Sequence, residues 1–175
     1  WVGSADIRVT VKRRWTKHEV AGDEERVRLE RVGHIPGEAG DPIPHLAVAG
    51  RYAYLTQHDQ LRVIDVSEPT HPRVAGTLDF KGAATVLSVS GQYAYVASER
   101  RLLFVDVSDQ ATPRVAFSCD LGFAFGDVAV QGKYAFTTDG ESVRVVDVSD
   151  PAAPKEVGRC SVNCGEAITV AGQHA

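Results

Sequence analysis

An all-β fold, a β-propeller arc of about three four-stranded blades with partial blades at both ends, is predicted by three features of the sequence. The triplet Asp-Val-Ser recurs at 65–67, 106–108 and 147–149, trailed by Pro72, Pro113 and Pro154, so that each copy begins 41 residues after the last. A repeat of that length marks a solenoid, a propeller or an array. Each copy also divides into four short strand-like runs separated by glycine, proline and polar turns. Finally, the run leading into each triplet is apolar on both faces, as a strand covered from both sides requires. Helical repeats would need apolar spacings of three and four, which are absent, and β-helix coils are usually much shorter.

Residues 1–30 form an N-terminal segment that does not match the repeat. Ile7-Arg8-Val9-Thr10-Val11 alternates apolar and polar residues and reads as a strand. The charged stretch that follows, from Lys12, Arg13, Arg14 and Lys17 to Glu19, Asp23, Glu24 and Glu25, mixes both signs and reads as solvated linker. At Arg31-Val32-Gly33-His34-Ile35 the repeat begins in mid-phrase, because these residues align with Glu156-Val157-Gly158-Arg159-Cys160. The blades therefore occupy 31–175, with units near 45–80, 86–121 and 127–162 and a partial fourth at 167–175.

Within a unit, the first strand ends at Gly50, Gly91 or Gly132, where a tight hairpin demands positive φ. The second opens with an aromatic pair: Tyr52-Ala53-Tyr54, Tyr93-Ala94-Tyr95 and Tyr134-Ala135-Phe136. Alternation sets both rings on one face of the strand and alanine on the other. Polar turns around Asp59, Glu99 and Asp139 lead to the third strand, which runs into the triplet. A proline turn then leads to the fourth, at 73–78, 114–119 and 155–160, an outer position that tolerates a missing N–H.

The phrase Leu102-Leu103-Phe104-Val105-Asp106-Val107-Ser108, with its proline turn and the Gly-x-Tyr-Ala-Tyr hairpin, resembles the LVIVD repeat of bacterial and archaeal surface or secreted proteins. Gln110 departs from it where Pro69 and Pro151 stand, and His174 replaces the first tyrosine of the pair. The resemblance implies an extracellular, cell-surface or periplasmic propeller with a binding role.

Composition narrows the function classes. A net charge of −4 speaks against a nucleic-acid binder, which needs a basic face. No run of 18 apolar residues provides a membrane-spanning helix. Three cysteines do not make a disulfide framework. Cys119 and Cys160, one repeat apart and aligned with Leu78, read as small buried apolar residues, while Cys164 lies close enough in sequence to Cys160 to leave a disulfide open. The absence of methionine and the repeat register of the last residues lead to the expectation of a longer chain, whose remaining blades, or self-association, cover the terminal blades.

The triplet aspartates recur in every unit before a Ser-x-Pro turn and so read as turn caps, with no catalytic role. Function is expected where the repeat is broken, at the loops entering the first strands, which open on one mouth of the channel. His45, Asp127 and Glu166 are the non-repeated polar residues there, and Phe123 and Phe125 form an aromatic departure in a glycine-flanked loop. The leading expectation is a non-catalytic module that binds a protein or polysaccharide through these loops, with no catalytic residue and no cofactor. Alternatives are an enzymatic or cation site built on His45, Asp127 and Glu166, where the carboxylate oxygens would suit Ca2+, and a purely structural spacer.

Overall fold

In this computed structural model, residues 7–10, 31–35, 45–98, 100–122, 126–161 and 167–170 are described, with side chains from residue 45 onward. Among them every regular element is a strand. The first blade consists of β3 (His45–Ala49), β4 (Tyr52–Gln57), β5 (Gln60–Asp65) and β6 (Arg73–Asp79). The second holds β7 (Ala84–Ser90), β8 (Tyr93–Ser98), β9 (Arg101–Asp106) and β10 (Arg114–Asp120). The third holds β11 (Asp127–Gln131), β12 (Tyr134–Thr138), β13 (Ser142–Asp147) and β14 (Lys155–Ser161). Each is an antiparallel meander of four strands in sequence order. The strands match the repeat reading, except that β7 starts two residues earlier, each third strand extends one residue beyond its apolar run at both ends, and each fourth strand runs one residue further.

The two-residue hairpins between first and second strands turn on Gly50, Gly91 and Gly132, each at φ 60°. That conformation carries no steric penalty for glycine and fixes the register that follows. Third and fourth strands pair through a bulge at one repeated place, between Val63 and Ile64, Val115 and Phe117, and Val145 and Val146. A bulge at an outer strand bends it and raises its twist.

The N-terminal residues repeat that arrangement. β1 (Ile7–Thr10) and β2 (Arg31–Ile35) form an antiparallel pair in which Ile7 faces Ile35, Val9 faces Gly33 and Thr10 faces Arg31, with an irregularity between Val9 and Thr10. In the first blade Leu61 faces Leu78, Val63 faces Gly76 and Ile64 faces Val74, with the shift at the same step. β1 and β2 thus have the register of a third and a fourth strand: the outer half of a further blade.

The blades pack face to face, with β7 beside both β3 and β11. First strands are consequently innermost. Tyr54, Leu61 and Val63 of the first blade meet Leu87, Val96, Leu103 and Val105 of the second in one buried cluster. The opposite face of the second blade, carrying Tyr95, Leu102 and Phe104, packs on Val128, Ala135, Val146 and Val148 of the third. Alternation along β9 sends Leu103 and Val105 to one interface and Leu102 and Phe104 to the other, which is why this strand is apolar throughout. Phe104 is fully buried and meets Tyr95 edge to face at 5.3 Å and Tyr93 at 6.5 Å.

Of the two aligned cysteines, only Cys160 departs from expectation. Cys119 is half-buried, packs in the second interface and holds its thiol against the Leu102 carbonyl at 3.8 Å, with its pKa raised by burial. Cys160, at the same repeat position, is exposed, because the third blade has no described neighbour over that face. Both are free thiols, and Cys164 lies outside the described residues. Gln110, the break in the proline pattern, hydrogen-bonds Tyr54 across the first interface. A proline there would lose that link between blades.

Candidate functional site

The two ends of the blades differ in kind. At the triplet end, one motif is built three times. Asp65, Asp106 and Asp147 accept the backbone N–H of Ser67, Ser108 and Ser149 at 2.9, 3.0 and 2.9 Å. Ser108 and Ser149 also donate their hydroxyls, both at 2.6 Å. Each carboxylate has a basic partner: Arg51 at 3.1 Å for Asp65 and Lys133 at 3.9 Å for Asp147. The second blade carries Gln92 at the aligned position, and Arg114 from the fourth strand takes the role at 2.8 Å. Arg51 and Lys133 also lie over the rings of Tyr52 and Tyr134, at 5.0 and 5.1 Å, in cation–π geometry.

These contacts lower the carboxyl pKa values. The Ser108 hydroxyl and amide, reinforced by Arg114, bring Asp106 down to about 2, and the Ser67 and Ser149 donors lower Asp65 and Asp147. A carboxyl depressed in the fold adds stability that is complete above its unfolded pKa and is lost as pH falls through the folded value. The melting temperature is therefore expected to hold down to pH ~4 and to fall between there and pH ~2, more shallowly in Asp106→Asn. Thermal melts across that range check it; identical slopes in the two proteins would remove Asp106 from the account.

At the opposite end, where the first strands begin, the residues change from unit to unit. His45 opens β3, is half-buried and pairs with Thr56 across the ladder. Asp127 opens β11, is half-buried and pairs with Thr138. No hydrogen bond joins these two among the described residues. Asp127 instead accepts the amide of Val128 on Oδ1 and that of Ile168 on Oδ2, both at 2.8 Å. Its carboxylate ties the segment 167–170 to the third blade, a role the repeat comparison did not reveal. Glu166, Phe123 and Phe125 lie outside the described residues. Asp79 accepts from the Gln60 side chain at 2.7 Å, and Asp120 from the Gly122 amide at 2.8 Å.

Other residues at this end escaped the sequence reading. Ser98 and Arg101 converge on the Lys81 carbonyl at 3.4 and 3.3 Å, and Arg100 donates to the Gly122 carbonyl. In the third blade Arg144 bridges Asp139 at 2.8 Å and Glu156 at 3.0 Å. Burial would push the Asp139 carboxyl up, but the Arg144 guanidinium and three donors from Ser142 and Glu141 outweigh it and hold the group well below the usual carboxylate range. The hydroxyls of Thr56 and Thr138, beside His45 and Asp127 in the ladder, and of Thr137 are buried without a hydrogen-bond partner. No sequence signal marks them, because threonine is an ordinary strand residue. Among the described residues, no three His, Cys, Asp or Glu side chains gather as a metal site would need, and no helix is long and apolar enough to cross a membrane.

Three stacked four-stranded meanders with their first strands innermost define the protein as a β-propeller-type repeat. The family model described as the LVIVD repeat matches at 37–79, 81–121 and 124–162, and the chain belongs to that family. Among solved structures it is similar to a functionally unknown protein from Desulfotomaculum acetoxidans DSM 771, with a TM-score of 0.62 and 15% identity. The match covers 76% of this chain and 47% of that one, so this chain spans about half the length of its structural relative. No curated protein matches.

Proposed function

We propose that the chain is a non-catalytic interaction module of a secreted or cell-surface protein, and that it engages a protein or polysaccharide partner through the end where the first strands begin. One observation carries this reading. The triplet end repeats the same capped aspartate three times, whereas the opposite end presents His45, Ala84 and Asp127 at the starts of the three first strands. Repetition serves folding, and the unit-to-unit differences supply a surface with its own chemistry. The carboxylates described there are already engaged: Asp127 by two amides, Asp120 by a turn amide and Asp139 by Arg144. That engagement favours binding over acid–base chemistry, which needs a carboxyl poised to exchange a proton. Placement outside the cytoplasm rests on the family resemblance.

An array of bacterial surface polysaccharides and surface-protein ectodomains tests the proposal. The expected result is retention of at least one of them, lost in the pair His45→Ala and Arg101→Ala and kept in Arg51→Ala and Lys133→Ala at the other end. Equal loss in both pairs, no retention at all, or conversion of a retained molecule would contradict it.

A further inference from the structure

At the end where the first strands begin, the turn between second and third strands reverses its charge in the second blade. Asp59-Gln60 in the first blade and Glu141-Ser142 in the third align with Arg100-Arg101 in the second. The crossover that enters the second blade adds Lys81, where the next crossover has Gly122. The reversal falls on the blade that is packed on both faces, so it does not depend on what lies beyond either terminus.

The two arginines are consecutive and reach opposite ways. Arg101, half-buried, donates to the Lys81 carbonyl on the crossover from the first blade, where Ser98 also donates. Arg100, exposed, donates to the Gly122 carbonyl on the crossover to the third. A carbonyl holds a guanidinium in place without neutralising it, and each side chain commits one terminal nitrogen of a five-donor fork. Among the described residues neither arginine makes an ion pair, and neither does Lys81. Asp120 lies across the ladder from Arg101 but gives its carboxylate to the Gly122 amide at 2.8 Å. Glu99, in the same turn, lies outside the described residues.

We infer that Arg100 and Arg101, with Lys81, form the recognition site for an acidic polysaccharide, gripped by the carboxylate or sulfate groups along its chain. This rests on the proposed use of that end as the binding face and names the ligand it takes. A guanidinium is a planar fork that matches the paired oxygens of such a group. Both forks are anchored before contact, so little side-chain freedom is lost on binding. A polysaccharide suits this end better than a protein, whose interface needs a core of apolar or aromatic anchors. Among the described residues the exposed large apolar side chains lie along β3, β6, β10 and β14, and none stands on these turns. Asp59 and Glu141, on the neighbouring blades, repel an anionic chain and confine the contact to the second blade.

Calorimetric titration of the chain with polygalacturonate, dextran sulfate, neutral dextran and polyglutamate tests the inference. One or both acidic polysaccharides are expected to bind, more weakly as salt rises, and neutral dextran is not. The double variant Arg100→Asp and Arg101→Gln gives the second blade the turn of the first. It is expected to weaken binding by about tenfold or more, with an unchanged far-ultraviolet spectrum. Lys81→Ala leaves the backbone carbonyls in place and is expected to weaken binding by a smaller factor, while Arg51→Ala with Lys133→Ala at the triplet end leaves it intact. Failure of both acidic polysaccharides to bind, affinity indifferent to the arginine changes, or polyglutamate bound as tightly would overturn it. A neutral glycan or a surface protein retained through His45 without the arginines would overturn it too, yet leave the broader reading of this end standing.

Discussion

Phe104→Ala is expected to destabilise the fold by about 4 kcal/mol, the range for emptying a buried aromatic site in a core that relaxes only partly. The ring is fully buried on β9, between the second and third blades. It loses edge-to-face contacts with both Tyr93 and Tyr95 as well as its own apolar burial. Contacts of that geometry contribute about 1 kcal/mol beyond area alone. The neighbouring strand provides a comparison: Phe117 on β10 is 37% exposed, so Phe117→Ala is expected to cost well under half as much. Chemical denaturation of the two variants checks the ratio. Equal losses would mean that Phe104 does not sit in a closed interface.

Most of this architecture was legible in the sequence because each blade is written three times. A glycine at positions 50, 91 and 132 is ambiguous alone, but three copies at fixed spacing before an aromatic pair specify a hairpin. The Asp-Val-Ser aspartates were legible for the same reason, since a carboxylate two residues before its own amide donor is a local arrangement. What repetition could not convey were contacts between units. Nothing marks Gln110 as a partner of Tyr54, because the two are far apart in sequence and meet only once the blades stack. The bridge from Asp127 to Ile168 was hidden in the same way: Asp127 was legible as an unrepeated polar residue, but its second carboxylate oxygen takes the Ile168 amide only because residues 167–170 lie alongside the third blade. His45 and Thr56 share a ladder position, as first and second strands of a hairpin must. The buried, unpartnered hydroxyl of Thr56 needs the structure to be seen. Cys160 was misread because its aligned residues are covered by a following blade and it is not. Repeats predict a residue's direction better than its burial, since burial depends on the neighbour.

The pairing of blades face to face is the claim on which the rest depends, and Gly76 tests it at one atom. Gly76 lies on β6, an outer strand, where added bulk would ordinarily be tolerated. A Cβ there would fall on the carbonyl oxygens of Gln110 and Ala111, the latter at 2.9 Å, in the proline turn of the next blade. Those are backbone atoms that cannot rotate away, so the two blades must separate locally. Gly158, its equivalent on β14, has only the Val145 side chain near its Cβ, at 3.6 Å, an ordinary contact. The direct measurement is the stability of Gly76→Val against Gly158→Val by chemical denaturation. The stacked arrangement predicts a loss of about 3 kcal/mol at Gly76, the upper end for overpacking, and little change at Gly158. Equal effects at the two positions would contradict it, because then no neighbouring blade would lie against β6.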